Sequence, residues 1–569
     1  MNTLLLSYKN VFKDKLLSIL LSITLIIPVI YNLFRILQMS KYIISYGQQT
    51  DLVEEYIVLN DVNKFALYFA IIMLFVSYEV FYQIKGKSVE EVLKASKKGL
   101  SGTYRNLFFI LLVHVFSFSI LSFIVTFVGI NRFIELTANF KWNIALSFFI
   151  NYFLTSVLTV VVGFFASTLK NRLKGYTVIT LFGIFISGIL EYLSQVIYMS
   201  TSINIYPLTN LFSLSPPNLS YFLPQEYGLD VLPYRFFRIF FWIAFFVSIY
   251  YIFLSKNAYQ RKGSIKKYIS VLCCVLMICC YAMPTSKFDR SVGNPQECNL
   301  HDVEYYYYNE FSKREDYDTD YHIRAYDMDF KIYNQLTAEV TAETDIPADG
   351  KKVFTLYHGY NIKKILDENG NKVPFLREGD FVYIDLINET HKITFIYRGH
   401  SPKFYSNYQG SLLLGGFCYY PMPGFLQVYQ TKTYNTVFNI PKDDIEFDVT
   451  VHTTNTVYSN LNCNGKNSFS GKAQTVSLVS GMYYEQKTDG IRVLSAGTNS
   501  FFDDAELKKQ YDIIQDKQVI KGKTIIIVPN VNETFDNVFS RDTVLMCGFA
   551  TGIGDSVNNS VGNESSNLS

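Results

Sequence analysis

Seven long apolar runs occupy the first half of the chain, and no other feature constrains its fold as strongly. Each run is bounded by polar residues and is long enough, or nearly long enough, to cross a bilayer. Inside a bilayer the backbone amides must pair within the segment, so each run is predicted to be a helix. The runs are Leu16–Leu37, Phe65–Ile84, Leu107–Ile130, Asn143–Thr168, Tyr176–Met199, Phe236–Leu254 and Tyr268–Met283.

The last run separates two different compositions. The segment Lys266–Pro284, KKYISVLCCVLMICCYAMP, has a basic start, an uncharged middle and a terminal proline. The chain is mostly apolar before this segment and has the composition of an ordinary soluble domain after it. We therefore predict a cytoplasmic amphipathic helix in residues 1–15, a six-helix bundle in 16–255, and a basic loop with the seventh crossing in 256–284.

Lysine and arginine predict the orientation of these helices. Three lysines lie in residues 1–15, and the loops after the second, fourth and sixth runs carry six, three and five basic residues. The alternate loops carry few, and basic loops stay in the cytoplasm. The N-terminus is thus predicted to be cytoplasmic and residues 285–569 extracellular. The richness in Asn, Lys, Ile and Tyr is typical of low-GC bacteria, so we expect a multi-pass protein of a bacterial cell membrane.

The second half of the chain alternates apolar and polar residues with a period of two from about Tyr326 onward. Many short strands, separated by turns such as Glu368–Lys372, predict an extracellular all-β sandwich or saddle domain in residues 285–500. The predicted fold class is therefore an α-helical membrane bundle of about seven transmembrane helices, joined to this β-domain and a short mixed α/β C-terminal piece.

The C-terminal piece is placed in residues 501–550. It is predicted to contain a helix at Ala505–Gln515 and a buried strand at Lys523–Pro529. Residues 551–569 are rich in Gly, Ser and Asn, and this low-complexity composition predicts a disordered tail.

Cysteine spacing leaves the redox state of the outer half open. Cys298, Cys418, Cys463 and Cys547 lie in the predicted outer domain, where four cysteines allow three disulfide pairings. Free thiols are an equally good prediction, and the wide spacing does not suggest a zinc site. The other four cysteines of the chain lie inside the last apolar run.

A few polar side chains interrupt the apolar runs. His114, Asn151 and Glu191 are candidates for a transport path, because ionisable and polar groups inside a membrane are costly and often functional. His114 and Asn151 are also well suited to plain hydrogen bonds between helices. Glu191, near the outer end of its run, is the strongest single candidate for a residue that faces such a path.

The loop between the second and third runs has its own helix signal. Ser88–Glu91, with the sequence SVEE, is a capping box, and good helix formers continue to Lys98. The segment is either a solvated connector or a helix that docks a cytoplasmic partner. In the second case the contact residues would be Ser88, Glu90, Glu91, Lys94 and Lys98.

An amphipathic lead, six crossings and this short cytoplasmic helix together resemble the permease of an ABC transporter of the ABC-2, or exporter, type. The resemblance covers residues 1–255 and implies that the helix at Ser88–Lys98 couples to a separate ATPase subunit. It also implies that Ser200–Pro233 holds the family's outer re-entrant segment, and that a second permease chain, identical or related, completes the transporter in the lipid membrane. The substrate is expected to be a peptide or an amphiphile.

ATP hydrolysis is expected in the partner chain because this chain has no phosphate-binding loop. That loop needs a glycine five residues before its Gly-Lys-Ser/Thr. Gly86-Lys87-Ser88 has Phe81 at that position, and Gly522-Lys523-Thr524 has Lys517.

Residues 326–497 resemble the N-terminal β-domain of the aminopeptidase-N family of zinc peptidases. The resemblance rests on the strand series and on Tyr397–Gly399, Tyr419–Pro421 and Phe438–Pro441. That family's chemistry needs HExxH, in which two histidines bind zinc and the glutamate acts as base. None of the seven histidines is followed by glutamate, so we expect the fold without the activity, and no catalytic residue, metal or cofactor.

These features favour a permease subunit of an exporter with an inert outer domain. The alternatives are a membrane-anchored receptor or immunity protein that binds an extracellular peptide without transport, and a cell-surface peptidase, which the missing HExxH disfavours. The tyrosines at Tyr305–Tyr308 form either a binding face or, as we favour, an ordinary strand edge. A net charge of +2 without a basic tract outside the membrane flanks excludes nucleic acid as a partner.

Overall fold

The computed structural model consists of two compact units. The first holds residues 1–223 and 229–283, and the second holds 224–228 and 284–569. The structure describes residues 13–46, 53–86, 93, 99–133, 136–169, 171–214, 225–256, 263–288, 302–309, 311–433, 435–488, 490–496, 504–528, 537–548 and 552–567.

The first unit is helical throughout its described elements. Its fourth predicted crossing consists of two α-helices joined by a π-helix, Phe149–Leu154. The α-helices are α1 Lys15–Tyr46, α2 Val53–Gly86, α3 Gly99–Asn131, α4 Ala138–Phe148, α5 Thr155–Thr168, α6 Arg172–Ile186, α7 Ile189–Thr201, α8 Tyr206–Phe212, α9 Pro233–Lys256 and α10 Gly263–Tyr281.

Among the described residues, five helical spans are long and apolar enough to cross a membrane. They are Lys15–Ile43, Ile57–Ile84, Gly99–Asn131, Ala138–Thr168 and Pro233–Ile252. These spans match five of the seven predicted crossings, and the insertion itself stays a prediction.

The fifth predicted crossing is broken rather than continuous. Gly188 has a φ of 80°, in the left-handed region, and separates α6 from α7. Glycine adopts this conformation without the steric cost that a Cβ would bring. Neither piece alone reaches the length of a spanning helix, and the 19-residue α10, at the position of the seventh crossing, is not among the five spans.

Close helix packing holds the first unit together. Leu74, Leu158 and Val162 belong to its buried core. A Cβ at Gly163 in α5 would lie 2.8 Å from the Cβ of Ser77 in α2. Small residues at such a crossing allow two helix backbones to approach, which is how helices gain van der Waals contact in a membrane.

The second unit is mainly β-sheet, and it also contains the helices α11 Asp302–Tyr308, α12 Asp504–Ile513 and α13 Ile553–Asn567. Its strands are β1 Ile323–Ile332, β2 Leu336–Thr355, β3 Tyr360–Leu366, β4 Lys372–Val373, β5 Phe375–Glu378, β6 Phe381–Gly399, β7 Ser406–Asn407, β8 Gly410–Leu413, β9 Met422–Pro423, β10 Tyr429–Gln430, β11 Asn435–Thr436, β12 Ile445–His452, β13 Val457–Ser459, β14 Asn462–Gly465, β15 Ser468–Ala473, β16 Leu478–Ser480, β17 Tyr483–Thr488, β18 Ile491–Ala496, β19 Thr524–Val528, β20 Val538–Phe539 and β21 Thr543–Cys547.

The largest sheet has the strand order β14-β15-β12-β1-β2-β6-β3-β4. Its neighbours pair antiparallel except β1 with β12, which are parallel. Strands β1 and β12 alternate buried and exposed residues, as expected for a sheet with one face on the core. The predicted strands and the turn at Glu368–Lys372, where Gly370 has a φ of 80°, are confirmed.

The C-terminal piece of the second unit is mixed α/β. Its sheet has the order β17-β18-β19-β21-β20, with parallel pairing of β18 with β19 and of β19 with β21. The predicted helix at Ala505–Gln515 corresponds to α12, and the predicted strand at Lys523–Pro529 corresponds to β19. Leu507 from α12 and Ile525 from β19 share a buried cluster.

The prediction of a disordered tail in residues 551–569 was wrong over most of its length, because Ile553–Asn567 forms α13. Ile553 and Val557 bury their side chains in the core of the α/β piece. The Gly554 amide also donates to Gln510 Oε1 at 3.0 Å. Two apolar residues one turn apart give this polar segment enough buried surface to order it.

Residues 225–228 lie far from the β-strands in sequence but belong to the second unit. The Tyr227 ring contacts Phe288 and Tyr405, with both centroid distances at 4.8 Å. Asn407 Nδ2 donates to the Tyr227 hydroxyl at 3.2 Å, and Gln409 Nε2 donates to its carbonyl at 3.0 Å. The chain thus enters this unit twice, before α9 begins and after α10 ends.

The structure also describes the tyrosine run and several cysteines of the outer half. Tyr305–Tyr308 lie in α11 rather than on a strand edge, and only Tyr307 and Tyr308 are largely exposed. Cys418 and Cys463 form no disulfide in the part of the chain that the structure describes. Cys298 lies outside the described residues, so its own pairing stays open.

Candidate functional site

The π-helix at Phe149–Leu154 is the first irregular feature of the helical unit. The Thr155 amide donates to the Ile150 carbonyl, five residues earlier, and the Thr155 hydroxyl donates to the same carbonyl at 2.9 Å. One widened turn changes the direction in which later side chains point, and π-bulges recur at functional sites. Here the widened turn contains Asn151 and Tyr152, and both are buried.

Asn151 is the centre of a buried cluster that we call the asparagine network, which comprises Asn63, Ser147, Asn151 and Arg235. Asn151 Nδ2 donates to Asn63 Oδ1 at 2.7 Å and to Ser147 Oγ at 3.0 Å. Ser147 Oγ donates to the same Asn63 oxygen at 2.8 Å. Asn63 and Ser147 have no exposed surface, and Asn151 is 4% exposed.

Arg235 brings a positive charge into the asparagine network. Its Nη2 donates to Asn151 Oδ1 at 2.7 Å, and its Nη1 donates to the Asp230 carbonyl at 2.6 Å. Only 2% of Arg235 is exposed. A guanidinium inside an apolar bundle is costly unless its donors are paired, so these two acceptors stabilise the charged group.

Tyr152 extends the polar contacts to two more helices. Its hydroxyl lies 2.9 Å from the Val62 carbonyl and 3.3 Å from Asn32 Oδ1. Asn32 Nδ2 in turn donates to the Ser122 carbonyl at 3.4 Å. Polar contacts therefore connect α1, α2, α3 and the π-helix within one buried region.

Of the three predicted path residues, the structure assigns clear contacts to two. Asn151 lies in the asparagine network, whereas His114 Nε2 lies 3.0 Å from Thr24 Oγ1 and connects α3 with α1. These two residues share no partner among the described contacts. Glu191 falls in α7, but its side chain lies outside the described residues. The predicted coupling residues, Ser88, Glu90, Glu91, Lys94 and Lys98, also lie outside them.

Sequence reasoning missed Asn32, Asn63 and Arg235 as members of this region. Asn32 was detectable as an amide inside an otherwise apolar run. Arg235 precedes the sixth predicted crossing, and an arginine at the start of a helix can face polar surroundings or turn inward. The sequence alone does not predict that these residues lie near Asn151, because each is 84 or more positions away from it along the chain.

The second unit has its own buried polar cluster beneath α11. Asp380 accepts from the Tyr306 hydroxyl and from the His358 amide, and the His358 ring lies against Tyr305 with a centroid distance of 3.5 Å. Burial and the nearby Asp380 carboxylate raise the pKa of Tyr305 to about 12. Beside this cluster, Tyr357 donates to Asp302 Oδ1 at 2.8 Å. These contacts hold α11 on the sheet.

Among the described residues, no group of three or more His, Cys, Asp or Glu side chains could hold a metal ion. The cluster around His358 and Asp380 includes one histidine and its acidic partner, with Tyr305 and Tyr306 against them and the Arg377 guanidinium nearby. Its geometry fits a structural role for α11, and the absence of enzymatic activity stays a prediction.

Comparison with known proteins gives partial likenesses only. No family model and no curated protein matches the chain. An M1 zinc metallopeptidase from Deinococcus radiodurans has a TM-score of 0.27 and 13% identity, over 41% of this chain and 61% of that one. Native leukotriene A4 hydrolase from Saccharomyces cerevisiae has a TM-score of 0.27 and 13% identity, over 42% and 43%.

A yeast leukotriene A4 hydrolase in complex with bestatin has a TM-score of 0.29 and 12% identity, over 46% of this chain and 47% of that one. The chain thus spans less than two thirds of the length of each of these three proteins. The Deinococcus radiodurans protein is a zinc peptidase by name, and a zinc peptidase family is the one that residues 326–497 were expected to resemble. TM-scores this low carry no property of those enzymes over to this chain.

Proposed function

We propose that this chain is the transmembrane permease subunit of an ABC transporter, which exports a peptide or an amphiphile with energy from a separate ATPase subunit. In this proposal the second unit is a non-catalytic extracellular β-domain that binds substrate or a partner. The observation that carries the proposal is the asparagine network, a charged polar cluster inside a unit of apolar helices.

The chemistry of this network favours transport over a purely architectural role. Asn63, Ser147 and Asn151 alone would connect two helices with neutral hydrogen bonds, as many membrane helices do. Arg235 adds a buried charge, and buried charges in membrane helices typically mark substrate or ion pathways. The π-helix and the break at Gly188 add irregular backbone, which membranes tolerate where protein or a water-filled cavity surrounds it.

Chain continuity agrees with the predicted orientation. The chain leaves the second unit just before α9 begins and returns to it just after α10 ends. An antiparallel pair of helices would place both of these points on one side of the membrane. That side is the predicted extracellular one, with the N-terminus in the cytoplasm of a bacterial cell and residues 285–569 outside.

The proposed partners are an ABC ATPase subunit and a second permease chain, either identical or related. The ATPase would contact the segment that contains Ser88, Glu90, Glu91, Lys94 and Lys98, and ATP-driven closure of the ATPase pair would move the helices through it. The short α8 within Ser200–Pro233 would be part of an outer re-entrant segment.

The test is affinity purification of the full chain in mild detergent, followed by mass spectrometry of the proteins that remain bound. We expect an ATPase subunit, and we expect Glu90→Gln together with Glu91→Gln to lower its recovery about tenfold. Glu389→Gln, an exposed residue of the β-domain, is the matched control and should leave recovery unchanged. Full recovery in the double variant would refute the docking segment.

A further inference from the structure

Arg238 is the second buried arginine of α9, three residues after Arg235. It is 2% exposed. Its Nη1 donates to both the carbonyl and the side-chain oxygen of Asn210, each at 2.9 Å. Its guanidinium lies 5.8 Å from the centre of the Tyr234 ring and close to the Tyr281 hydroxyl. All of these partners are electrically neutral.

The charge of Arg238 is therefore not matched by a carboxylate in the part of the chain that the structure describes. Its Nε is buried and has no hydrogen-bond acceptor among the described residues. A buried guanidinium normally has an anionic partner, because neutral acceptors only partly replace its lost hydration. A donor without an acceptor, on a guanidinium whose other partners are neutral, would be satisfied by an anionic acceptor.

The position of Arg238 in α9 also favours the binding of an anion. It lies in the second turn of α9, a 24-residue helix whose N-terminal end carries a positive partial charge. Arg235, one turn earlier, adds a second buried positive charge. The neutral acceptor Asn210 belongs to α8, which has only seven residues and also contacts α9 through Trp242, whose Nε1 donates to the Leu211 carbonyl at 2.7 Å.

We propose that Arg238, supported by Arg235, binds the anionic headgroup of an amphiphile, whose oxyanion accepts from Nε while Asn210 keeps its bonds with Nη1. A phosphate or carboxylate can accept from Nε and Nη2 together, because these two donors share one edge of the planar guanidinium. The amphiphile is either a lipid of the surrounding membrane or the exported substrate. The proposal requires that the helical unit lies in a bilayer, but it does not require an ATPase.

Trp242 provides a reporter beside this site. The chain has two tryptophans, and Trp142 is 70% exposed, so Trp142→Phe leaves Trp242 as the single tryptophan. The full chain with this substitution is titrated in mixed micelles with dioleoylphosphatidylglycerol, with dioleoylphosphatidylcholine, and with inorganic phosphate. We expect a saturable change in emission with the anionic lipid only.

Variants then assign the response to Arg238. Arg238→Gln should weaken apparent binding of the anionic lipid by about tenfold to a hundredfold, the range expected when a charged hydrogen-bonding group is lost. Arg132→Gln removes an exposed arginine at the end of α3 and should have no effect. Asn210→Ala removes one of the two neutral acceptors of Nη1. It should strengthen binding, because the guanidinium then gains more from an anion, a change that a purely structural Arg238 would not produce.

Several outcomes would overturn the proposal. Equal responses to phosphatidylglycerol and phosphatidylcholine would show that no anion is recognised. A full response to inorganic phosphate would show a site for free oxyanions instead of amphiphiles. If Arg238→Gln does not fold, Arg238→Lys and Asn210→Ala test the proposal instead. Unchanged lipid binding in both variants would exclude Arg238 as the binding residue. Since no readout involves ATP, failure here is distinct from failure of the transport proposal.

Discussion

Replacing Asn151 by alanine tests the asparagine network most sharply. The substitution removes the two bonds that Asn151 Nδ2 donates and the acceptor of Arg235 Nη2. Neutral hydrogen bonds in membrane proteins contribute about 0.6 kcal/mol each. Leaving a buried guanidinium donor without its acceptor costs about 1.5–3 kcal/mol. The free energy of unfolding should therefore fall by about 3 kcal/mol.

Tryptophan fluorescence during denaturant unfolding of the detergent-solubilised chain can measure this change. Both tryptophans, Trp142 and Trp242, lie in the helical unit, so the signal reports on that unit and not on the β-domain. Asn131→Ala, at an exposed position at the end of α3, is the matched control and should cost less than about 0.5 kcal/mol. A loss as small as this in Asn151→Ala would refute the network.

A double-mutant cycle separates the Arg235 contact from the rest. Arg235→Met, Asn151→Ala and the double variant should be non-additive by about 1.5 kcal/mol, because the single variants break the same charged hydrogen bond. Strictly additive values would show that the two side chains do not interact in the protein.

Three further predictions concern the second unit. Tyr227→Ala should destabilise this unit by about 3 kcal/mol, because the ring is buried against Phe288 and Tyr405. Faster hydrogen exchange in β7 and β8 would report the loss. The control Tyr308→Ala, at a 77% exposed residue, should not change the exchange. The hydrogen bond from the Lys352 ammonium lowers the pKa of Asp318 in the folded protein. The pair therefore stabilises the unit above the unfolded-state pKa of about 3.9, and this stabilisation is lost as pH falls through the lower folded pKa. Lys352→Met should flatten the acid dependence of hydrogen exchange in β2, and the control Lys363→Met should leave it intact. Gly399→Ala should reduce the yield of folded β-domain, since its Cβ would overlap the Gly359 backbone at a φ of 153°, whereas Gly370→Ala, with open space around it, should cost only about 1 kcal/mol.

Local patterns were sufficient to predict much of the secondary structure. Apolar length predicted the spans in α1, α2, α3 and α9, and period-two alternation predicted β1, β12 and β18. The helix at Asp504–Ile513 and the strand at Thr524–Val528 also followed from local composition. In each case a single stretch of chain carries the signal, because one face or one whole segment is buried.

The remaining features depend on contacts between distant parts of the chain. Strand β6 continues unbroken from Phe381 to Gly399, because its pairing with β2 continues past irregular register between Glu343 and Gly350. The tail forms the helix α13 because Ile553 and Val557 pack into a buried cluster with residues of α12 and β19. Arg235 lies just before an apolar run in the sequence, and only the fold places Asn151 beside it.

The most direct test of the proposed function is ATP hydrolysis by the full chain, purified in mild detergent together with the proteins that remain bound. The permease proposal predicts a nucleotide-binding subunit in the preparation and ATPase activity that falls when Glu90 and Glu91 are both changed to glutamine. A chain that purifies alone, without ATPase activity, would contradict it and would favour a membrane-anchored receptor that binds an extracellular peptide through its β-domain.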